Sequence, residues 1–125
     1  MKRGKENKTI LLIDDDPAIY HTIKIVIGNP EYSLVYFDNT EDAARYIRGR
    51  GKANLIILDI MLPNQSGLEF LDELKRMKAG IPVIVISAIN TAKAAAEAMK
   101  KGASDYVTKP FALEEIRGAI GRSIE

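Results

Sequence analysis

Three short runs in the chain are almost wholly apolar and rich in branched residues: ILLI at 10–13, LIIL at 55–58 and VIVI at 83–86. Continuous runs of this length suit strands buried on both faces, as in a parallel sheet. Two more mixed runs, 32–37 and 105–108, read as edge strands. Helical spacing fills the gaps. Ile19, Ile23, Val26 and Ile27 recur behind Pro17, which suits a first turn. Thr40 is read as the N-cap of an acidic first turn, TEDA, on a helix carrying Ala43, Ala44 and Ile47. Ser66 precedes GLEFLDELKRM, where Phe70, Leu74 and Met77 share a stripe, and Ser66 with Glu69 has capping-box spacing. Thr91 precedes AKAAAEAMKKG, with Gly102 as its C-cap. Leu113, Ile116 and Ile120 mark a last helix.

The order is βαβαβαβαβα. Strict alternation with short loops implies a parallel sheet covered by helices on both faces. Three fully apolar strands (first, third and fourth) and two mixed ones (second and fifth) match a doubly wound five-stranded sheet of order 2-1-3-4-5, an α/β fold of the flavodoxin-like (βα)5 kind.

Composition narrows the possibilities. The chain has 125 residues, 46% hydrophobic and 28% charged, with a formal net charge of +1. That fits one globular domain and gives no global attraction to nucleic acid or an anionic membrane. No apolar run is long enough to span a bilayer. There is no cysteine, which excludes disulfides, thiolate chemistry and cysteine-zinc sites and accords with the expected cytoplasmic address. Residues 1–8 are read as a disordered basic tail and 9–125 as the domain. His21 is read as a helix-surface residue.

In such sheets ligands bind beyond the carboxyl ends of the strands. Asp14, Asp15 and Asp16 follow the first strand, Asp59 the third, Ser87 the fourth, and Lys109 with Pro110 the fifth. Asp14, Asp15 and Asp59 bring three negative charges together. Lys109 supplies one positive charge, and a divalent cation would bring the set to neutrality. Carboxylate oxygens without histidine or cysteine suit Mg²⁺ or Mn²⁺. With a lysine and a hydroxyl, such a site is equipped to handle a phosphoryl group. Asp16 is read as a helix-start acid rather than a ligand.

The motifs LLIDDDP, ILDIMLPNQSGLEFL, VIVISA and GASDYVTKPF, in this order over residues 9–124, resemble the receiver domains of two-component response regulators. The resemblance implies Asp59 as phosphoacceptor, taking its group from a phosphohistidine on a sensor histidine kinase or a phosphotransfer protein. It implies Mg²⁺ held by Asp15, Asp59 and the backbone carbonyl of Met61, with Asp14 acting through water. Lys109 and Ser87 would contact phosphoryl oxygens; Ser87 stands where the family often carries threonine. Tyr106 would be the aromatic switch, and the Lys109–Pro110 bond would be cis. The face of the fourth helix, fifth strand and fifth helix would signal to a downstream protein or an output domain, with a phosphorylation-dependent homodimer as a further option. Lys93, Glu97, Lys100 and Lys101 are expected to give that face its polar specificity. Met61 and Ile89, each two places beyond a key residue, offer a hydrolytic water no strong hydrogen bond, so slow autodephosphorylation is expected. Direct nucleic-acid contact and membrane insertion are not expected.

Two rivals stand beside this reading. DDDPA also resembles the start of haloacid-dehalogenase-type phosphatases, with Asp14 as nucleophile and Asp16 as acid. However, Ala18 replaces the expected threonine or valine, no acidic pair follows Lys109, and Asp59 is left without a role. The other rival is an adaptor that needs no phosphorylation. No effector domain fits within 125 residues, so a stand-alone receiver or part of a larger regulator is expected. Gly118 and Gly121 weaken the last helix by up to about 1 kcal/mol each relative to alanine.

Overall fold

The computed structural model describes residues 7–28, 30, 32–63 and 65–124. Ten elements alternate: β1 (Lys8–Ile13), α1 (Pro17–Ile27), β2 (Tyr32–Phe37), α2 (Thr40–Arg48), β3 (Leu55–Asp59), α3 (Gly67–Arg76), β4 (Val83–Ser87), α4 (Ala92–Lys100), β5 (Asp105–Thr108) and α5 (Leu113–Ser123). All strand pairs are parallel, in the expected order β2-β1-β3-β4-β5. The basic tail assigned to residues 1–8 lies outside the described residues up to residue 6; Lys8 opens β1.

Alternation along the central strands divides the core. Leu11, Ile13, Ile56, Leu58 and Val85 face α2, α3 and α4, packing on Ala43, Phe70, Leu74 and Ala98. Ile10, Leu12, Ile57, Ile84 and Ile86 face the other way, onto Ile23, Val26, Ile116 and Ile120 of α1 and α5. The edge strand β2 is only half-buried along its length, which is why its pattern is mixed.

The helix starts follow the sequence with one shift. Asp16 caps α1 by accepting from the Ala18 amide, Ser66 caps α3 through Leu68, and Thr91 caps α4 through Ala94. The cap of α2 is Asn39, not Thr40: Asn39 accepts from the Asp42 amide, while Thr40 is the first helical residue. Thr40 is buried, and its hydroxyl donates to the Gln65 side chain instead. The capping pattern at Ser66 runs to the amide of Leu68, not that of Glu69.

Three helices end alike. In α4, Lys101 is the C-cap and Gly102 (φ +106°) the next residue; Gly102 donates to Met99 and Ala103 to Ala98. This is the left-handed Schellman ending, which glycine enters without penalty. The same bonds close α2 and α3, but there the left-handed residues are Arg50 (φ 66°) and Lys78 (φ 53°). A side chain in that conformation costs roughly 1–2 kcal/mol. A cation near a helix C-terminus recovers about 0.3–1 kcal/mol.

Candidate functional site

Strand register assembles the site. Ile13 pairs with Leu58, so Asp14 and Asp59 lie side by side where β1 and β3 end. Ser87 pairs with Thr108, and the Lys109 amide donates to the Ser87 carbonyl at 2.8 Å, which brings the lysine to the same rim. The Lys109–Pro110 bond is cis, as expected.

Asp14 is fully buried and Asp59 nearly so, at 0% and 4% exposed. Carboxylates so placed need donors. Asp14 Oδ1 accepts from the Asp16 amide at 2.9 Å and its Oδ2 from Lys109 Nζ at 2.9 Å. Asp59 Oδ1 accepts from the Met61 amide at 2.9 Å and its Oδ2 from Lys109 Nζ at 3.2 Å. One ammonium thus bridges two buried carboxylates.

The electrostatics reflect an excess of negative charge. Burial pushes the Asp14 carboxyl above its ordinary range, and the Asp59 charge adds to the rise; the Asp16 amide and Lys109 only partly offset it. Burial pulls the Lys109 ammonium down, but its hydrogen bond to Asp14 and the charges of Asp14 and Asp59 outweigh this and leave it raised. Burial and the negative charges of Asp14, Asp38, Asp15 and Asp16 push the Tyr36 hydroxyl up as well.

Asp15 completes the set: one carboxylate oxygen each from Asp14, Asp15 and Asp59 lie within 4.8 Å of one another. Asp15 is exposed and Asp14 and Asp59 are buried, so the cluster opens toward solvent on one side. Three hard oxygen donors with surplus negative charge fit a small divalent cation. Asp16 is outside this cluster, its side chain engaged as the α1 cap. That geometry also weakens the phosphatase alternative, because Asp16, its supposed acid, is engaged as the cap of α1.

Ser87 is fully buried, and its Oγ accepts from the Ile89 amide at 3.0 Å. The Tyr106 hydroxyl donates to the Ile89 carbonyl at 2.6 Å. Met61 and Ile89 are exposed, at 55% and 37%. His21 is an exposed residue of α1, packed edge-on against Tyr20.

The polar residues of α4 also border α3. Lys93, Glu97, Lys100 and Lys101 line a groove with Asp72 and Lys75 of α3, and Lys101 pairs with Asp72 at 2.9 Å. The i, i+4, i+7 row of Lys93, Glu97 and Lys100 lies along this groove. On the α4-β5-α5 face an ion pair at 3.1 Å joins Arg122 of α5 to Asp105 of β5.

How the β3–α3 loop is held is not visible in the residue pattern. Gln65 accepts from Thr40 and donates to Glu73 at 3.5 Å, and Glu73 pairs with Arg48 at 3.2 Å. These are ordinary polar residues, and only folding brings them together. Gly67 had a visible signal, a glycine opening a helix just after a loop. A Cβ there would lie 2.5 Å from Ile60 Cα and 2.7 Å from the Asp59 carbonyl oxygen, so only glycine lets the loop fold back onto the end of β3.

Comparison with known proteins agrees with this architecture. The family model of the response regulator receiver domain matches residues 10–121. The chain is similar to the DNA-binding transcriptional regulator NtrC of Rhizobium meliloti, with 35% identity over 116 residues, 93% of this chain and 24% of that protein. It therefore spans about a quarter of that relative's length, 24%. A signal receiver domain from Vibrio parahaemolyticus superposes with a TM-score of 0.87 at 25% identity, covering 94% of this chain and 89% of that one. The beryllofluoride-activated NtrC4 receiver domain dimer superposes at 0.85 with 26% identity, covering 93% and 95%. Among the described residues no helix is long and apolar enough to cross a membrane.

Proposed function

The chain belongs to the response regulator receiver domain family, and from that premise we propose that it accepts a phosphoryl group on Asp59 from a histidine kinase or a phosphotransfer protein. The observation that carries this reading is the single ammonium of Lys109 bridging Asp14 and Asp59, with the Asp15 carboxylate beside them.

In the proposed reaction an Asp59 oxygen attacks the phosphorus of a phosphohistidine. The O–P bond forms as the P–N bond breaks, and the electron pair returns to the imidazole nitrogen. A carboxylate is a weak nucleophile, but the phosphoramidate is an activated donor, so positioning and charge neutralisation carry the catalysis. The Met61 amide holds one Asp59 oxygen, and Lys109 stands ready to pair with a transferred oxygen. The residues proposed to hold Mg²⁺ or Mn²⁺ are Asp15, Asp59 and the Met61 carbonyl, with Asp14 acting through water. When bound, the ion would supply positive charge against the phosphoryl oxygens.

The acyl phosphate then becomes the signal. Ser87 would exchange the Ile89 amide for a phosphoryl oxygen, and Tyr106 would report that loop movement to the α4-β5-α5 face, a shift between two populated states. That face would meet a downstream protein, an output domain or a second copy. Hydrolysis would be slow, because the exposed side chains of Met61 and Ile89 cannot orient a water.

Incubation with acetyl phosphate and Mg²⁺ tests the proposal. Intact mass should show one added phosphoryl group on the wild-type chain and none on Asp59→Asn. Loss of label only in Asp14→Asn would favour the phosphatase. No adduct on wild type would remove the phosphoacceptor function and leave a phosphorylation-independent adaptor.

A further inference from the structure

The opposite end of the sheet has its own recess. A crevice of about 640 Å³ opens between the C-terminal ends of α2 and α3, where the chain turns into β3 and β4. Ile47, Met77 and Ile81 contribute to its floor, all half-buried and continuous with the core on that face. Its rim carries three exposed cations, Arg48, Arg50 and Lys78, and no acidic residue lines it. Arg48 is engaged with Glu73; among the described residues Arg50 and Lys78 have no ion-pair partner.

Among the described residues Arg50 and Lys78 are also the non-glycine residues held at positive φ. The helix dipole does not require them, because the last turns of α2 and α3 already carry Arg45 and Arg48, and Lys75 and Arg76. Two left-handed cations on the rim of one crevice are local strain that folding alone would relieve by glycine. The floor is aliphatic and the lining includes no aromatic side chain, which offers a nucleotide base nothing to stack on.

We propose that this crevice is a docking site for an acidic segment of a protein partner, with aliphatic side chains on the Ile47–Met77–Ile81 floor and carboxylates against Arg50 and Lys78. Charge complementarity selects the occupant, and the crevice lies at the end of the sheet opposite Asp59.

The test uses the full chain labelled with ¹⁵N and a synthetic peptide alternating glutamate and leucine. Saturable amide shifts should centre on the residues of the crevice, and a peptide with lysine at every glutamate should give none. The double variant Arg50→Gly/Lys78→Gly relieves both left-handed positions, so it should melt no lower than wild type while binding about fivefold more weakly. Unchanged affinity in that folded variant, equal binding of the lysine peptide, or shifts centred elsewhere would each overturn the proposal. Preference for a single-stranded oligonucleotide at the same residues would overturn it in favour of a nucleic-acid site.

Discussion

The backbone of Ile89 is held at both polar groups: its amide donates to the Ser87 hydroxyl at 3.0 Å, and its carbonyl accepts from the Tyr106 hydroxyl at 2.6 Å. The buried hydroxyl beside the acid cluster and the phenol on β5 are therefore coupled through one residue of the β4–α4 loop. Tyr106→Phe removes one end of that link and leaves the ring's packing. The expected loss is about 1 kcal/mol in urea unfolding, with faster amide exchange in residues 88–90. Wild-type exchange in that loop would show that the phenol does not restrain it.

Asp14→Asn tests the strain in the acid cluster. The folded carboxyl is raised above its ordinary value of 3.8, so in that window the folded state binds more protons than the unfolded one. Stability of the metal-free wild type should fall as pH rises from the unfolded value through the folded one, and stay lower at neutral pH. Asparagine removes the buried charge; its one carbonyl oxygen can still accept from the Asp16 amide, and Lys109 keeps its bond to Asp59. The variant should melt higher than wild type at pH 7 without metal, and the fall over the acid window should shrink. A lower melting temperature would mean that the Lys109 pair outweighs burial.

Lys109→Met leaves Asp14 and Asp59 facing each other without a cation. Removing one member of a buried charge set typically costs 3–5 kcal/mol; the partial exposure of Lys109 places the expected loss near about 3 kcal/mol in metal-free buffer. Millimolar Mg²⁺ should recover part of it. Urea titrations with and without the ion measure both effects, and indifference to Mg²⁺ would count against a metal at the cluster.

Gly67→Ala should be far worse than an exposed glycine change. The added methyl meets the backbone of Asp59 and Ile60, which cannot rotate away. The expected cost is about 2 kcal/mol, with weakened Mg²⁺ binding as the β3–α3 loop is pushed off. Gly121→Ala is the control: nothing lies within 4 Å of a Cβ there, so helix stability should rise.

Met61→Asn and Ile89→Glu place polar groups where exposed apolar side chains now flank the site. If slow hydrolysis has the proposed origin, the acyl phosphate of each variant should decay faster, on the order of tenfold, as followed by intact mass. Unchanged lifetimes would remove these two residues from the account.

Much of the architecture was legible because burial leaves a direct trace in sequence. Runs such as LIIL and VIVI are apolar at every position because both faces of β3 and β4 are covered. The Asp14, Asp59, Ser87 and Lys109 grouping was legible because each follows an apolar strand, and parallel register carries strand ends to one rim. Thr40 misled because Asn39 and Thr40 are both good caps, and the choice depends on Gln65, a tertiary partner. On α4, periodicity shows that Lys93, Glu97 and Lys100 share a stripe but not that the stripe borders a groove with α3. Arg50 and Lys78 gave no warning, since nothing in their identity announces a positive φ.

Among the described residues the two ends of the strands carry opposite signs, carboxylates gathered beyond the tips of β1 and β3 and the cations Arg48, Arg50 and Lys78 where α2 and α3 finish. Among the described residues charge is thus separated along the sheet, although the formal net charge of the chain is only +1. An approaching charged body would turn it before touching it, presenting one pole to cations and the other to anions, and added salt would blunt that alignment at both poles.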